Sequence, residues 1–177
     1  MLFLCSALML VTCASELAAQ KKTAAAKSPS IEIPADTDFS GMYSFMKEGE
    51  FVQITVEKET GAKGAPAKSA KVNGFISRFG DDDSDKGEFL DHFFTRGSLT
   101  GNNLNFATRQ IHGVSFEFSG TLERGPAKSR SEDGYYVASG TLTRSMMGSN
   151  GKVAARSREI TMKLFPDMDE DPKPAKR

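Results

Sequence analysis

Residues 115–125, SFEFSGTLERG, and residues 135–145, YYVASGTLTRS, carry one phrase twice. In the first copy Phe116 and Phe118, preceded by Val114, alternate with Ser115, Glu117 and Ser119. Successive side chains of a pleated strand point to opposite faces, so this period places the apolar members on one side. The phrase Gly-Thr-Leu recurs at Gly120 and Gly140, and Gly97-Ser98-Leu99-Thr100 opens a third version. Glycines inside strands permit sharp coiling or close backbone approach. The repeat therefore reads as hairpin geometry rather than as repeated binding sites.

The same alternation extends outward. Val52, Ile54 and Val56 alternate with Gln53, Thr55 and Glu57, and Ile160, Met162 and Leu164 with Thr161 and Lys163. Turn signals at Thr60-Gly61, Gly80-Asp81, Gly101-Asn102, Gly125-Pro126, Asp133-Gly134 and Asn150-Gly151 divide the runs. Eight strands are predicted, near 41–46, 50–58, 70–79, 88–95, 97–108 (interrupted near Gly101), 113–124, 133–144 and 154–165. No stretch shows convincing helical periodicity. Sequential hairpins of this number favour an all-β, single eight-stranded antiparallel up-and-down barrel over a sandwich, since closure removes exposed edges. Eight strands enclose an interior that side chains can fill or that can hold one small ligand.

The barrel is expected over 39–165. Residues 1–20 read as a signal peptide, with an apolar run from Leu2 to Cys13 that is short for a membrane span. No Lys or Arg precedes that run, so the true start is expected upstream. Residues 21–38, rich in Ala, Lys, Ser and Pro, read as a flexible leader, and residues 166–177 as a disordered charged tail. The expected location is secreted or periplasmic, with lipid anchoring at Cys13 as the alternative. Cys5 and Cys13, the two cysteines, both lie in the signal segment, so the mature protein is expected to lack a disulfide.

The chain has 177 residues with 23 basic and 23 acidic side chains, and that balance argues against a nucleic-acid footprint. Glu57, Lys58, Arg124, Arg144 and Lys163 are predicted on outward faces and argue against a membrane barrel, which needs a continuous apolar belt. No transmembrane span is expected in the mature protein.

The opening Ser40-Gly41-Met42-Tyr43, followed by Phe45, resembles the Gly-x-Trp start of the calycin-like (lipocalin- and avidin-type) barrels, with Tyr43 in place of the tryptophan. The resemblance implies a barrel architecture and an arginine packed across that aromatic, a part that Arg156 or Arg158 would take.

Polar residues in phase with apolar rows must be satisfied internally or line a cavity. Arg78, His92, His112 and Arg156 all fall in such phase, beside Phe94 and Phe116. With Tyr136 they make a predicted ligand-binding set: a phenylalanine-lined pocket with a polar end, suited to an apolar or amphipathic ligand with an acidic head. In FGDDDSDKGEF, Asp81, Asp83 and Asp85 have the alternate spacing of a calcium loop. However, Lys86 occupies the glycine position of the helix–loop–helix pattern and His92 that of its last glutamate. The expected reading is a solvated acidic turn, with a cation loop as its alternative. His92 and His112 with Asp91 could hold a metal, but a histidine in an apolar strand is usually a packed core residue. No metal is expected, and nothing in the sequence asks for a cofactor. Phe89 and Phe93 are predicted to point outward, as a partner surface for a homodimer.

Nucleophile motifs and phosphate-cradling loops are missing, and Ser44-Phe45-Met46-Lys47 stands without the companion motif of penicillin-recognising enzymes. Three functions follow in order: a non-catalytic barrel binding a small ligand; a structural or interaction module of the cell envelope; and a barrel enzyme with His92 or His112 as general base, with catalysis expected to be absent.

Overall fold

The computed structural model describes residues 37–57, 69–81, 83, 85–148 and 150–167. The signal segment with Cys13, nearly all of the leader and residues 168–177 of the tail lie outside the described residues. Eight strands follow one another: β1 (Gly41–Ser44), β2 (Phe51–Glu57), β3 (Ser69–Phe79), β4 (Phe89–Thr100), β5 (Asn103–Thr108), β6 (Val114–Arg124), β7 (Tyr136–Met147) and β8 (Val153–Lys163). They form one sheet in the order β1 to β8, each antiparallel to its neighbours. No helix occurs among the described residues, and none there is long and apolar enough to cross a membrane.

The sheet curls until its two edges meet at one end only. Tyr43 bridges Leu164, and the Phe165 N–H donates to the Met42 carbonyl at 2.8 Å. Because β1 has four residues and β8 eleven, the rest of β8 has no strand to close on among the described residues. The result is a half-barrel, joined beside the chain termini and open towards the loops that follow β1, β3, β5 and β7.

The in-phase rows fill the interior as the sequence predicts. Val52, Ile54, Val72, Ile76, Leu99, Leu104, Phe116, Phe118, Leu122, Leu142 and Met162 are all buried in one cluster. Burial of each such side chain stabilises the fold by about 1.5–3 kcal/mol. A stack of Phe94, Phe106 and Phe118 runs through the cluster, with ring centroids 4.4 and 5.2 Å apart.

The repeated glycines do what their position suggests. Gly120 lies opposite Gly140 in the β6–β7 register. A Cβ on Gly140 would come within 2.4 Å of the Gly120 Cα, and one on Gly120 within 2.3 Å of the Ser139 carbonyl oxygen. The backbones approach so closely that only glycine fits, which lets the sheet coil tightly there.

Several strand boundaries differ from the expectation: β1 stops at Ser44, β4 runs on to Thr100 and β7 spans Tyr136–Met147. The predicted break near residue 96 is a shift of register within β4, between Phe94 and Arg96, and the turn falls at Gly101-Asn102. A bulge adds a residue without ending a strand, and its local polar break imitates a turn in sequence. His112 also differs. It lies in no strand row but at φ 45°, followed by Gly113 at φ 77°, in a two-residue turn closed by mutual Ile111–Val114 backbone bonds of 2.9 Å. Two positive φ angles mark the mirror-image hairpin turn that suits strand twist.

Candidate functional site

The open end is polar on its inner side. Arg78 ends the inner row of β3 and is buried, like His92 beside it on β4. The Arg78 Nε–H donates to His92 Nε2 at 3.3 Å. Phe116 packs edge-on against the imidazole at 5.2 Å, and the Arg78 guanidinium lies 5.6 Å from the centre of the same phenyl ring. Burial first, then the Arg78 charge, pushes the His92 pKa down to about 4. The Arg109 backbone opposes this shift. Among the described residues the buried Nδ1 nevertheless finds no partner of good hydrogen-bond geometry.

Asp81, just past β3, gathers cations. Its Oδ2 accepts from Arg78 at 2.8 Å and from Arg144 at 2.6 Å, and its Oδ1 from Lys47 at 3.4 Å. Partial burial would raise its pKa, but Arg78 and Arg144 outweigh this and hold the carboxyl below its usual range. One carboxylate thus faces three cations, and the positive excess grows with Arg156, which is directly opposite Arg144 in the β7–β8 register. Arg156 is exposed and makes no ion pair among the described residues. Glu50 is buried close by, its carboxylate occupied by the Lys47 and Phe79 backbone N–H groups at 3.2 Å each.

Arg144 and Arg156 line a groove of about 630 Å³ with Lys152 at its rim and Met146, Met147, Val153 and Ala154 as its apolar wall. The arrangement can hold an anionic group against two guanidiniums and an apolar chain against the wall.

The predicted residues divide accordingly. Arg78, His92 and Phe116 are in mutual contact, and Arg156 joins them through Arg144 and Asp81. Phe94 belongs to the core stack. His112 is remote from the inner face, with its Nδ1 2.9 Å from Oδ2 of the buried Asp85. Asp81 and Asp85 therefore turn to different cationic or imidazole partners, and no cluster of three or more candidate metal ligands occurs among the described residues. Tyr136 is at the other end of β7, packed on Phe39 at 4.7 Å.

At that closed end the guanidiniums near the aromatics are Arg124, 3.3 Å from the centre of the Tyr135 ring, and Arg130, 5.8 Å from that of Tyr136, not Arg156 or Arg158. Arg130 ties the two ends of the sheet. Its Nε–H donates to Asp167 at 2.8 Å, and its terminal nitrogens donate to the Asp38 and Ser40 carbonyls at 2.7 and 2.9 Å. Tyr43 is fully buried and donates its hydroxyl proton to the Phe39 carbonyl at 2.7 Å. Sequence reasoning missed Arg130 and Glu50 and set Arg144 on an outward face, whereas it lies on the inner one and donates to Asp81. Arg144 shares the inner phase of Ala138 and Leu142, so period-two counting alone could have found it; Arg130 lies in a loop with no period to reveal it.

The outer face carries a row of rings. Phe75 lies 5.9 Å from Phe51 and 5.3 Å from Phe93, and Phe79 lies 4.3 Å from Phe89. Phe89 and Phe93 remain 50% and 46% exposed. Comparison with protein-family profiles, with curated proteins and with solved structures finds no match to this chain.

Proposed function

We propose that this chain is an exported, non-catalytic barrel protein that binds a small amphipathic molecule with an acidic head. The observation that carries this reading is the groove on β7 and β8. There Arg144 and Arg156 stand side by side against Met146, Met147, Val153 and Ala154. Guanidiniums in a partly desolvated groove favour carboxylate or sulfonate heads through charge-assisted, forked hydrogen bonds. Behind the groove the buried Arg78 and His92 adjoin the exposed Asp81, which accepts from both Arg78 and Arg144. The kinship with calycin-like barrels is part of the same proposal, supported by the buried Tyr43 at the start of β1. The export reading rests on residues 1–20 alone.

Titration with dodecanoate, followed by calorimetry, tests it. Arg156→Glu reverses charge on an exposed side chain and is expected to weaken binding at least about tenfold, the equivalent of about 1.4 kcal/mol. Dodecanol, which lacks the head charge, is expected to bind more weakly than dodecanoate. Equal affinity of both ligands for the protein and its variant would overturn the reading.

A second reading is favoured by the exposed Phe89 and Phe93. These rings, continuous with Phe79 and Phe75, would serve as the contact face of a homodimer or of an envelope partner. Sedimentation of the protein and of a Phe89→Ser, Phe93→Ser variant tests the homodimer.

A further inference from the structure

The backbone of β8 is a second binding element beside the groove, with which it shares Arg156 and Val153. Antiparallel strands turn the N–H and C=O of alternate residues to opposite sides. The Leu164 N–H donates towards β7, to Tyr136 at 2.9 Å, whereas the Lys163 and Phe165 N–H groups donate the other way, to Ser44 Oγ at 3.0 Å and to the Met42 carbonyl. By that parity Val153, Ala155, Ser157 and Glu159 point their backbone groups away from β7. No strand pairs with them among the described residues, since β8 ends the sheet and β1 reaches only its far end. All seven residues from Val153 to Glu159 are exposed. Proteins usually protect such an edge by shortness, proline, bulges or a covering element. This one pairs with β7 without a register shift, is eleven residues long and is free of proline.

The side chains along the edge select what can pair with it. Arg156 and Arg158 share the inner phase of Met162, with Arg144 directly beside Arg156. A second copy of β8 is a poor occupant. Twofold antiparallel pairing keeps the same face upward, so a register centred on Ser157 sets Arg156 of one copy opposite Arg158 of the other. Registers centred on residue 156 or 158 set an arginine against itself. Like charges directly opposite are destabilising.

We propose that the free edge of β8 takes an extended acidic segment of another polypeptide as a ninth strand. Its backbone would pair with Val153, Ala155, Ser157 and Glu159, and its alternate carboxylates would meet Arg156 and Arg158. This is strand addition, in which main-chain bonds supply affinity and alternate side chains supply specificity.

The probe is a synthetic acetylated, amidated heptapeptide alternating Thr or Val with Asp, compared with its Lys-for-Asp counterpart. Ala155→Pro and Ser157→Pro each remove an edge donor while sparing the β7–β8 ladder. The full chain is expected to bind the acidic peptide and not the lysine peptide. Each proline variant is expected to lose at least about tenfold in affinity while keeping its circular dichroism and its dodecanoate binding. Peptide affinity unchanged by both prolines would overturn the proposal, and so would equal binding of the two peptides. Hydrogen exchange on the unmodified protein gives a test that needs no variant. Fast exchange at residues 153, 155, 157 and 159, slowed by the acidic peptide, supports a free edge. Slow exchange without peptide would show the edge already covered, by this chain if independent of concentration or by a second copy if not, and either result would overturn the proposal.

Discussion

Arg78 and His92 are buried together on adjacent strands, with the guanidinium Nε–H directed at the imidazole Nε2 over 3.3 Å. A donor aimed at Nε2 requires that nitrogen to be unprotonated, and a neighbouring permanent cation disfavours imidazolium. His92 is therefore neutral in the folded protein, with its pKa pushed from 6.5 to about 4. In the unfolded chain it protonates near its ordinary value. Between these values the unfolded state binds more protons, so stability rises with pH across this window and is lost as pH falls through it. The expected loss is about 2 kcal/mol, less than the full shift implies because the open end is screened by water. Urea unfolding at about pH 7 and about pH 4.5 measures it, and His92→Gln is expected to flatten the slope. A His92 ring signal titrating near 6.5 in the folded protein would contradict this assignment.

Asp81 limits the positive charge of the same end, since its one carboxylate pairs with Lys47, Arg78 and Arg144. Asp81→Asn keeps the shape and removes the charge. We expect the fold to lose about 1 kcal/mol, the scale of a partly exposed ion pair. Dodecanoate is expected to bind several-fold more tightly, because Arg144 is then released to the ligand. Melting temperature and calorimetric affinity should thus move in opposite directions. A variant that binds no more tightly would place the anion site away from Arg144.

The architecture was legible in the sequence because sheets write their faces at period two. Val114 to Phe118 and Ile160 to Leu164 announce strands and mark the inward side together, and the Gly-Thr-Leu phrases locate the tight coil. The site was legible only in part. Arg78, His92 and Arg156 share a phase with core residues, which period counting detects, but phase does not say at which end of a barrel a residue lies. Tyr136 and Arg156 were accordingly grouped, although β7 separates their levels. His112 was misplaced because an αL histidine in a two-residue turn looks, in sequence, like the first residue of a strand. The open edge was least legible of all. It follows from the shortness of β1, and the apolar run through Phe45 and Met46 gives no sign that the strand stops at Ser44.

Arg130 fastens the closed end. One guanidinium, in the loop between β6 and β7, holds the carbonyls of Asp38 and Ser40 before β1 and the carboxylate of Asp167 after β8, two segments far from it and from each other in sequence. Its bond to Asp167 is the main cause of its raised pKa, so it is charged at any working pH. Arg130→Ala is expected to lower stability by about 2 kcal/mol, the range for charged hydrogen bonds in a partly buried place. The loss should be localised, with faster hydrogen exchange at Met42 and Phe165 and little change at Phe118. Arg130→Lys keeps the charge but not the fork, and is expected to recover less than half of the loss. Full recovery by lysine would show that charge alone fastens the termini.

Gly120 and Gly140 face each other so closely that each excludes a methyl group on the other. Gly120→Ala and Gly140→Ala should each force β6 and β7 apart, at a cost of about 1–3 kcal/mol from overpacking. Alanine restricts the unfolded chain more than glycine does, which offsets about 0.4–1 kcal/mol of that cost. The two substitutions compete for one space. Once the first has separated the strands, the second meets less resistance, so the double variant is expected to lose less than the sum of the singles. Chemical unfolding of the three variants measures the coupling. Additive losses would mean that each methyl is resisted by its own surroundings, the Ser139 carbonyl for Gly120 and the Ser119 carbonyl for Gly140, and not by the facing glycine.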